Sequence, residues 1–397
     1  MQRSRAVVEP HYSLQNLARL DERLEAHIDG LRVTGEAGWD ICCDALDSQY
    51  PETVFPAAVL ALERGEEGAI QAIIEALNND LNCAKAFVSA LGWLTYEQAE
   101  PQIEKLLTET SAFCRYIGIA ASAIHRQDPG QYLKKAADDV YPPLIARALR
   151  AYGELGRGHE LDDYKLSNLL NDSDDGIRFA AAWSGALGEN ATARETLKSF
   201  VTHNSPYSVQ ALNTAVRLMG QSEALTWHRH LADSPATIRF AVIGAGIIGD
   251  PALVPWLIEQ MKVPDLARVA GEAFSMITGI DNDGEEMNAA RPDGFAAGPT
   301  DDPDDENVSL DVDENLSWPN LGLITTWWGN NAGRYPSGTR HLLGKPVNLD
   351  HLRHVLATGL QRQRSAAALE LAIKQPGQPL FNVRVRGSRQ LGALGTA

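Results

Sequence analysis

Residues 174–188 read DDGIRFAAAWSGALG and residues 234–249 read SPATIRFAVIGAGIIG, two versions of one pattern. Each opens on a residue that caps helix N-termini, sets an arginine after an isoleucine, and runs through an apolar stripe to a glycine. Aligning such endings along the chain gives Leu91-Gly92, Leu155-Gly156, Leu187-Gly188, Met219-Gly220, Ile248-Gly249 and Thr278-Gly279, at intervals of 64, 32, 32, 29 and 30. The first interval is two periods, with its midpoint at IGIAASAIH, residues 117–125, which closes without glycine. A unit of about 30 residues therefore recurs.

A second register lies inside the units. Arg115, Arg178, Arg239 and Arg268 follow Ser111, Asp174, Ser234 and Pro264 at helix starts, and the unit opening at Ser205-Pro206 has Gln210 in the arginine's place. Shorter amphipathic stretches, such as 101–107 and 252–261, lie between, giving two helices per unit. These segments resemble HEAT and lyase-type HEAT-like repeats over roughly residues 50–280. The expected fold is all-α, an α-solenoid of seven or eight helical pairs with an N-terminal capping helix and a C-terminal cap, because each pair buries its apolar face only against its neighbours. The four arginines are expected to be structural, tying one repeat to the next through loop carboxylates or carbonyls.

Four segments follow by position: a helical cap at 1–49, the repeat array at 50–280, an acidic flexible loop at 281–315 and a Trp-rich, basic cap at 316–397. In the first, Ser13 can cap a helix whose Leu17, Leu20, Leu24, Ile28 and Leu31 form one apolar face, with Arg19, Asp21, Glu22, Arg23, Glu25 and Asp29 on a solvated one. The third carries 13 acidic side chains and few large apolar groups, so its packing is disfavoured. In the last, residues 359–372 read as one more repeat-like helix and LFNVRVRGSRQ, residues 380–390, as a short strand or extended arm.

The chain of 397 residues has a net charge of −17, spread as −13 over residues 1–280, −12 over 281–315 and +8 over 316–397. A nucleic-acid partner, which needs a concentrated basic surface, is not expected of the acidic body. Nor is a membrane partner, since no apolar run reaches about 18 residues. The N-terminus lacks the apolar core of a signal peptide, and Cys42, Cys43, Cys83 and Cys114 form no Cys-x-x-Cys pair. A reduced, cytoplasmic protein is the expectation.

Phosphate-loop, zinc-protease, nucleophile-elbow and dinucleotide motifs are missing, so no catalytic residue, metal site or cofactor is expected. The histidine pairs 228/230 and 351/354 lack completing ligands. The acidic runs 281–286 and 301–306 depart from the calcium-loop order. Partner binding is the chemistry left: Trp318, Trp327, Trp328, Arg334, Tyr335 and Arg340 lie within 23 residues and are of hot-spot type. A tryptophan pair packing a cap against the last repeat is the alternative.

Residues 17–39 (LARLDERLEAHIDGLRVTGEAGW), 327–347 (WWGNNAGRYPSGTRHLLGKPV) and 359–372 together resemble an uncharacterised proteobacterial HEAT-repeat family whose genes often lie beside type VI secretion genes. The resemblance implies a context without catalytic residues to carry over: an adaptor or chaperone for an effector or spike component. Two other readings stand beside it, an immunity protein holding one toxin and a HEAT-like enzyme of DNA glycosylase or lyase type. The oligomeric state is left open.

Overall fold

The computed structural model describes residues 2–48, 50–280, 287–299 and 310–395. The fold is all-α, of the helical-repeat solenoid class, with 22 α-helices and one two-stranded hairpin among the described residues. The chain forms two compact units. Unit 1 draws on residues 1–8, 12–196 and 374–397, and unit 2 on 9–11 and 197–373. The C-terminal cap expected at 316–397 is thus divided, its last two dozen residues packing with the N-terminal half.

Unit 1 is built on a row of five successively packed helices: α1 (Pro51–Arg64), α2 (Leu81–Trp93), α3 (Ala112–His125), α4 (Pro142–Glu154) and α5 (Asp175–Leu187). Their starts are locally encoded. Proline occupies the first turn of α1 and α4, where no amide donor is lost. Asp80, Ser111 and Asp174 cap α2, α3 and α5, Asp174 accepting the Ile177 amide at 3.0 Å. The helices between them pack back on the row; that of Tyr96–Thr108 starts with a Thr95/Gln98 capping box and buries Ile103, Leu106 and Leu107. Small residues set the spacing. Gly153 lies directly under the Trp183 ring, and the buried Ser184 hydroxyl donates to Leu149 O at 2.6 Å while accepting the Gly153 amide at 3.1 Å.

At the start of unit 1, Ser13 caps the helix Leu14–Val33, and Leu14, Leu17, Leu20 and Ile28 are buried. Its other face is not uniformly solvated. Asp21 is buried, holding Arg3 Nε at 2.8 Å and the Gly387 amide at 2.7 Å, and Glu25 accepts Trp93 Nε1 at 2.7 Å. These partners come from distant sequence, so a periodicity argument places both carboxylates in water. The region read as a strand or arm ends instead in a helix, Gly387–Leu394, packed on Leu14–Val33 with Gly387 against the Ala18 backbone.

Unit 2 continues the pattern with α6 (Ser208–Leu218), α7 (Ile238–Ile248) and α8 (Pro264–Thr278), backed by helices Gln221–Ala232 and Val254–Gln260. Its core includes Val242, Val254, Leu257, Val269, Phe274 and Ile277, and it is extended by Met287 and Ile324 from beyond the array. Met287 O accepts the Asn320 amide at 2.7 Å and Asn288 bridges Pro319, so the helix Leu321–Asn331 is laid onto the last repeat.

The flexible loop expected over 281–315 is corrected at both described ends. Met287 and Asp313 are buried, and Asp311 and Asp313 are held by Arg268 and Arg239. Two repeat arginines offset the carboxylates that otherwise disfavour packing. The runs 281–286 and 301–306, weighed for calcium, lie outside the described residues.

Candidate binding site

A helix leaves its last four carbonyls without intrahelical partners, and buried carbonyls need donors. In both units a segment remote in sequence crosses the C-terminal ends of the row and supplies some of those donors. In unit 1 residues 378–389 do so. The Leu380 amide donates to Glu154 O of α4 at 3.0 Å and Asn382 Nδ2 to Ile124 O of α3 at 3.1 Å. Arg386 donates to Trp93 O of α2 at 3.4 Å, and Arg389 donates to Leu94 O. In the other direction Arg126, at the left-handed end of α3, donates to Leu380 O at 2.6 Å, and Arg3 to Arg384 O and Val385 O at 2.7 and 3.0 Å.

In unit 2 residues 335–344 perform the same task. Arg340 reaches Val216 O and Arg217 O of α6 at 2.9 and 3.1 Å, and the His341 amide reaches Gly249 O behind α7 at 2.7 Å. The Leu343 and Gly344 amides reach Met276 O and Ile277 O of α8 at 2.8 and 3.0 Å. The hairpin His341–Leu342 with Lys345–Pro346 turns through Leu343 and Gly344, both at positive φ.

These straps explain part of the glycine register. Gly156, Gly249 and Gly279 have φ of +73°, +67° and +76°, and a Cβ at each meets strap backbone: Gln378 O at 2.6 Å, His341 O directly, and Leu343 O at 2.7 Å. Gly92 serves differently, lying inside α2 with Ile124 at 2.6 Å, and Gly220 faces open space.

Charge gathers where the unit 1 strap meets α4. Arg147, Arg150 and Glu154 share one face of its last turns, and Arg126 comes from α3. Glu154 takes Arg147 Nη2 at 2.6 Å, with Arg150 Nε at 3.5 Å and Arg126 Nη1 at 3.8 Å. Burial pushes its carboxyl up, but Arg147, Arg126 and Arg150 overcome this and bring it to about 2. The Arg150 guanidinium lies over Trp183, its Cζ 3.7 Å from the ring centre, and its side chain is 30% exposed. Burial lowers the Arg150 pKa, which Glu154 partly restores. Arg384, on the strap, is exposed. No sequence pattern singled out this cluster, although the spacing of 147, 150 and 154 places three charges on one helical face.

The unit 2 counterpart is closed. Glu370, 3% exposed, takes Arg340 Nη1 at 2.8 Å with Arg217 Nε at 3.6 Å. Burial pushes Arg217 down to about 10 against the pull of Glu370.

The residues expected to bind a partner separate into three groups. Trp327, Trp328 and Tyr335 come together, with ring centres 5.6 to 6.4 Å apart; Trp327 packs edge-on against buried Phe274 and Tyr335 Oη donates to Thr278 O at 3.1 Å. Trp318 stands apart, against Phe295 and under the Arg268 guanidinium at 4.7 Å. Arg340 is turned inward to Glu370 and the α6 carbonyls, so it is corrected from a contact residue to a strap residue. Arg334 is exposed beside the trio, as is Leu323.

Of the four repeat arginines, Arg115 donates to Glu109 O and Thr110 O and reaches Asp139 of the following repeat at 2.5 Å. Arg239 reaches Asp265 O of α8 at 3.4 Å and Asp313 with both terminal nitrogens, and Arg268 pairs with Asp311. Arg178 bonds to Asp172 O and Asp175 within its own repeat. A cleft of about 500 Å³ in unit 1, lined by Tyr132, Lys135 and the Arg115–Asp139 pair among others, adjoins the first of these. His228 is buried against Trp256, and His351 Nε2 lies 2.6 Å from Leu342 O. None of the four cysteines forms a disulfide. Among the described residues no helix is long and apolar enough to cross a membrane.

No protein-family model matches the chain, and no curated protein matches it.

Proposed function

We propose that the chain is a protein-binding scaffold, a cytoplasmic adaptor or chaperone that holds an effector or spike component of type VI secretion. The observation that carries the binding role is the half-exposed Trp328 and Tyr335 pair beside exposed Leu323 and Arg334, set on the last repeat of unit 2. Large aromatic and arginine side chains that keep part of their surface in water on a rigid helical support are the chemistry of interface hot spots. Trp327 supplies the support, since Phe274 and Tyr335 cover it from two sides. The secretion context rests on the sequence resemblance alone.

The test separates support from contact. Tagged full-length protein is used to capture partners from a lysate of its own organism, beside a Trp328→Ala/Arg334→Ala double variant that leaves Trp327 in place. Recovery of a spike or effector by the parent, reduced at least tenfold in the variant at unchanged melting temperature, is the expected result. Equal recovery by both proteins, or capture without any secretion component, contradicts the proposal.

A further inference from the structure

The charge cluster of unit 1 has more cations than its internal structure uses. Arg126, Arg147 and Arg150 gather around the single carboxylate of Glu154, and Arg384 on the strap is near enough for its charge to act on Arg150, an excess of three positive charges within a chain of net charge −17. The Leu380 to Glu154 and Arg126 to Leu380 bonds bring the strap that carries Arg384 to the same place. Arg126 is committed to backbone carbonyls, and Arg147 to Glu154. The other two are not. The terminal nitrogens of Arg150 donate no hydrogen bond among the described residues, and neither does the Arg384 guanidinium. Arg150 is nevertheless held, its guanidinium seated over the Trp183 ring and its Nε 3.5 Å from Glu154.

A guanidinium seated over an aromatic ring with an open donor edge, a second one nearby on the strap, and a surplus of charge form a receptor for a compact oxyanion. We propose that Arg150 and Arg384, backed by Arg147 and Arg126, form a binding site for a phosphoryl group carrying at least two negative charges. Arginine forks match the oxygen edges of such a group, and stacking on an aromatic ring lowers the ordering cost of the fork. A single carboxylate offsets one charge of the three; a doubly or triply charged phosphate or pyrophosphate offsets most of them. The charges of Arg3 and Glu154 also act on Arg384, and that of Arg384 on Arg150, consistent with the strap and helix guanidiniums sharing one field. The unit 2 cluster lacks this capacity, because Glu370 there is buried between Arg217 and Arg340.

Calorimetric titration of the full-length protein with pyrophosphate tests the site, with inorganic phosphate, malonate and a single-stranded oligonucleotide in parallel. The expected result is saturable pyrophosphate binding that weakens at least tenfold in both Arg150→Gln and Arg384→Gln and is unchanged in Arg353→Gln, an exposed arginine of unit 2. Arg384→Gln alters an exposed side chain, so it reports on the site even if Arg150→Gln alters folding. Binding of the oligonucleotide at least tenfold tighter than pyrophosphate, with the same loss in both variants, assigns the phosphoryl group to a nucleic-acid chain rather than a free compound. No saturable binding, binding indifferent to both variants, or malonate binding as tightly as pyrophosphate overturns the proposal.

Discussion

The straps of the two units solve one problem with different chemistry. Both cross the C-terminal ends of three row helices and give donors to carbonyls those helices leave open. The unit 2 strap folds into a hairpin and seals its charges, with Glu370 buried between Arg340 and Arg217. The unit 1 strap forms no hairpin and runs through a turn at 383–384 into the helix Gly387–Leu394, and its charged end, at Glu154, remains in contact with solvent and rich in arginine. The difference teaches that capping a helical row does not require an open charge cluster. Where one persists, as at Arg150 and Arg384, it is available for binding.

Neutralising the two glutamates gives the widest contrast. Glu370→Gln leaves Arg217 buried without a counter-charge and is expected to cost about 3–5 kcal/mol, whereas Glu154→Gln leaves arginines that water reaches and is expected to cost about 1–2 kcal/mol. Denaturant melts of the two variants check the order; a reversed order breaks the distinction between a sealed and an open cluster. The register glycines come next. Gly249→Ala puts a Cβ against His341 O at a left-handed position and is expected to cost about 2–4 kcal/mol, Gly156→Ala about 1–2 kcal/mol because Gln378 O stands farther from the added Cβ than His341 O does, and Gly220→Ala close to nothing. Equal effects at all three show that the straps do not press on these turns.

A separate effect is with pH. Burial, then Arg229, lowers His228 to about 4, so the folded protein takes up its proton later than the unfolded chain does. Its contribution is complete above about pH 6.5 and is lost as pH falls through about 4, roughly 2 kcal/mol by pH 5. His125 of unit 1, also lowered by burial, adds a lesser effect of the same sign. Glu154 acts in a lower window, its contribution present above about pH 4.5 and lost toward about 2. His228→Phe flattens the stability profile between pH 6.5 and 4; an unchanged profile in that variant removes His228 as the cause.

The row helices were legible in the chain because their determinants are local. Asp174 and Ser111 cap where the spacing puts them, and the apolar faces of α3, α5 and α7 read directly as stripes. The straps were not, because Leu380 and Glu154 are far apart in sequence and Arg389 and Leu94 farther still, and such pairings leave no period. The same reason hid the task of Arg340, which is indistinguishable from a contact arginine until Glu370 and the α6 carbonyls surround it. Asp311 and Asp313 were likewise legible as acidic but not as docked, since Arg239 and Arg268 offset them only in the folded state. Of the candidate surface, the aromatic composition was legible; which of its tryptophans supports and which faces water was not.

Amide hydrogen exchange of the full-length protein tests the strap account most directly. The Leu380 and Gly387 amides of unit 1 and the His341, Leu343 and Gly344 amides of unit 2 are bonded to acceptors distant in sequence. They are predicted to exchange as slowly as amides inside the row helices they cross. Exchange of these five at the rate of open loops, while the row helices stay protected, contradicts it.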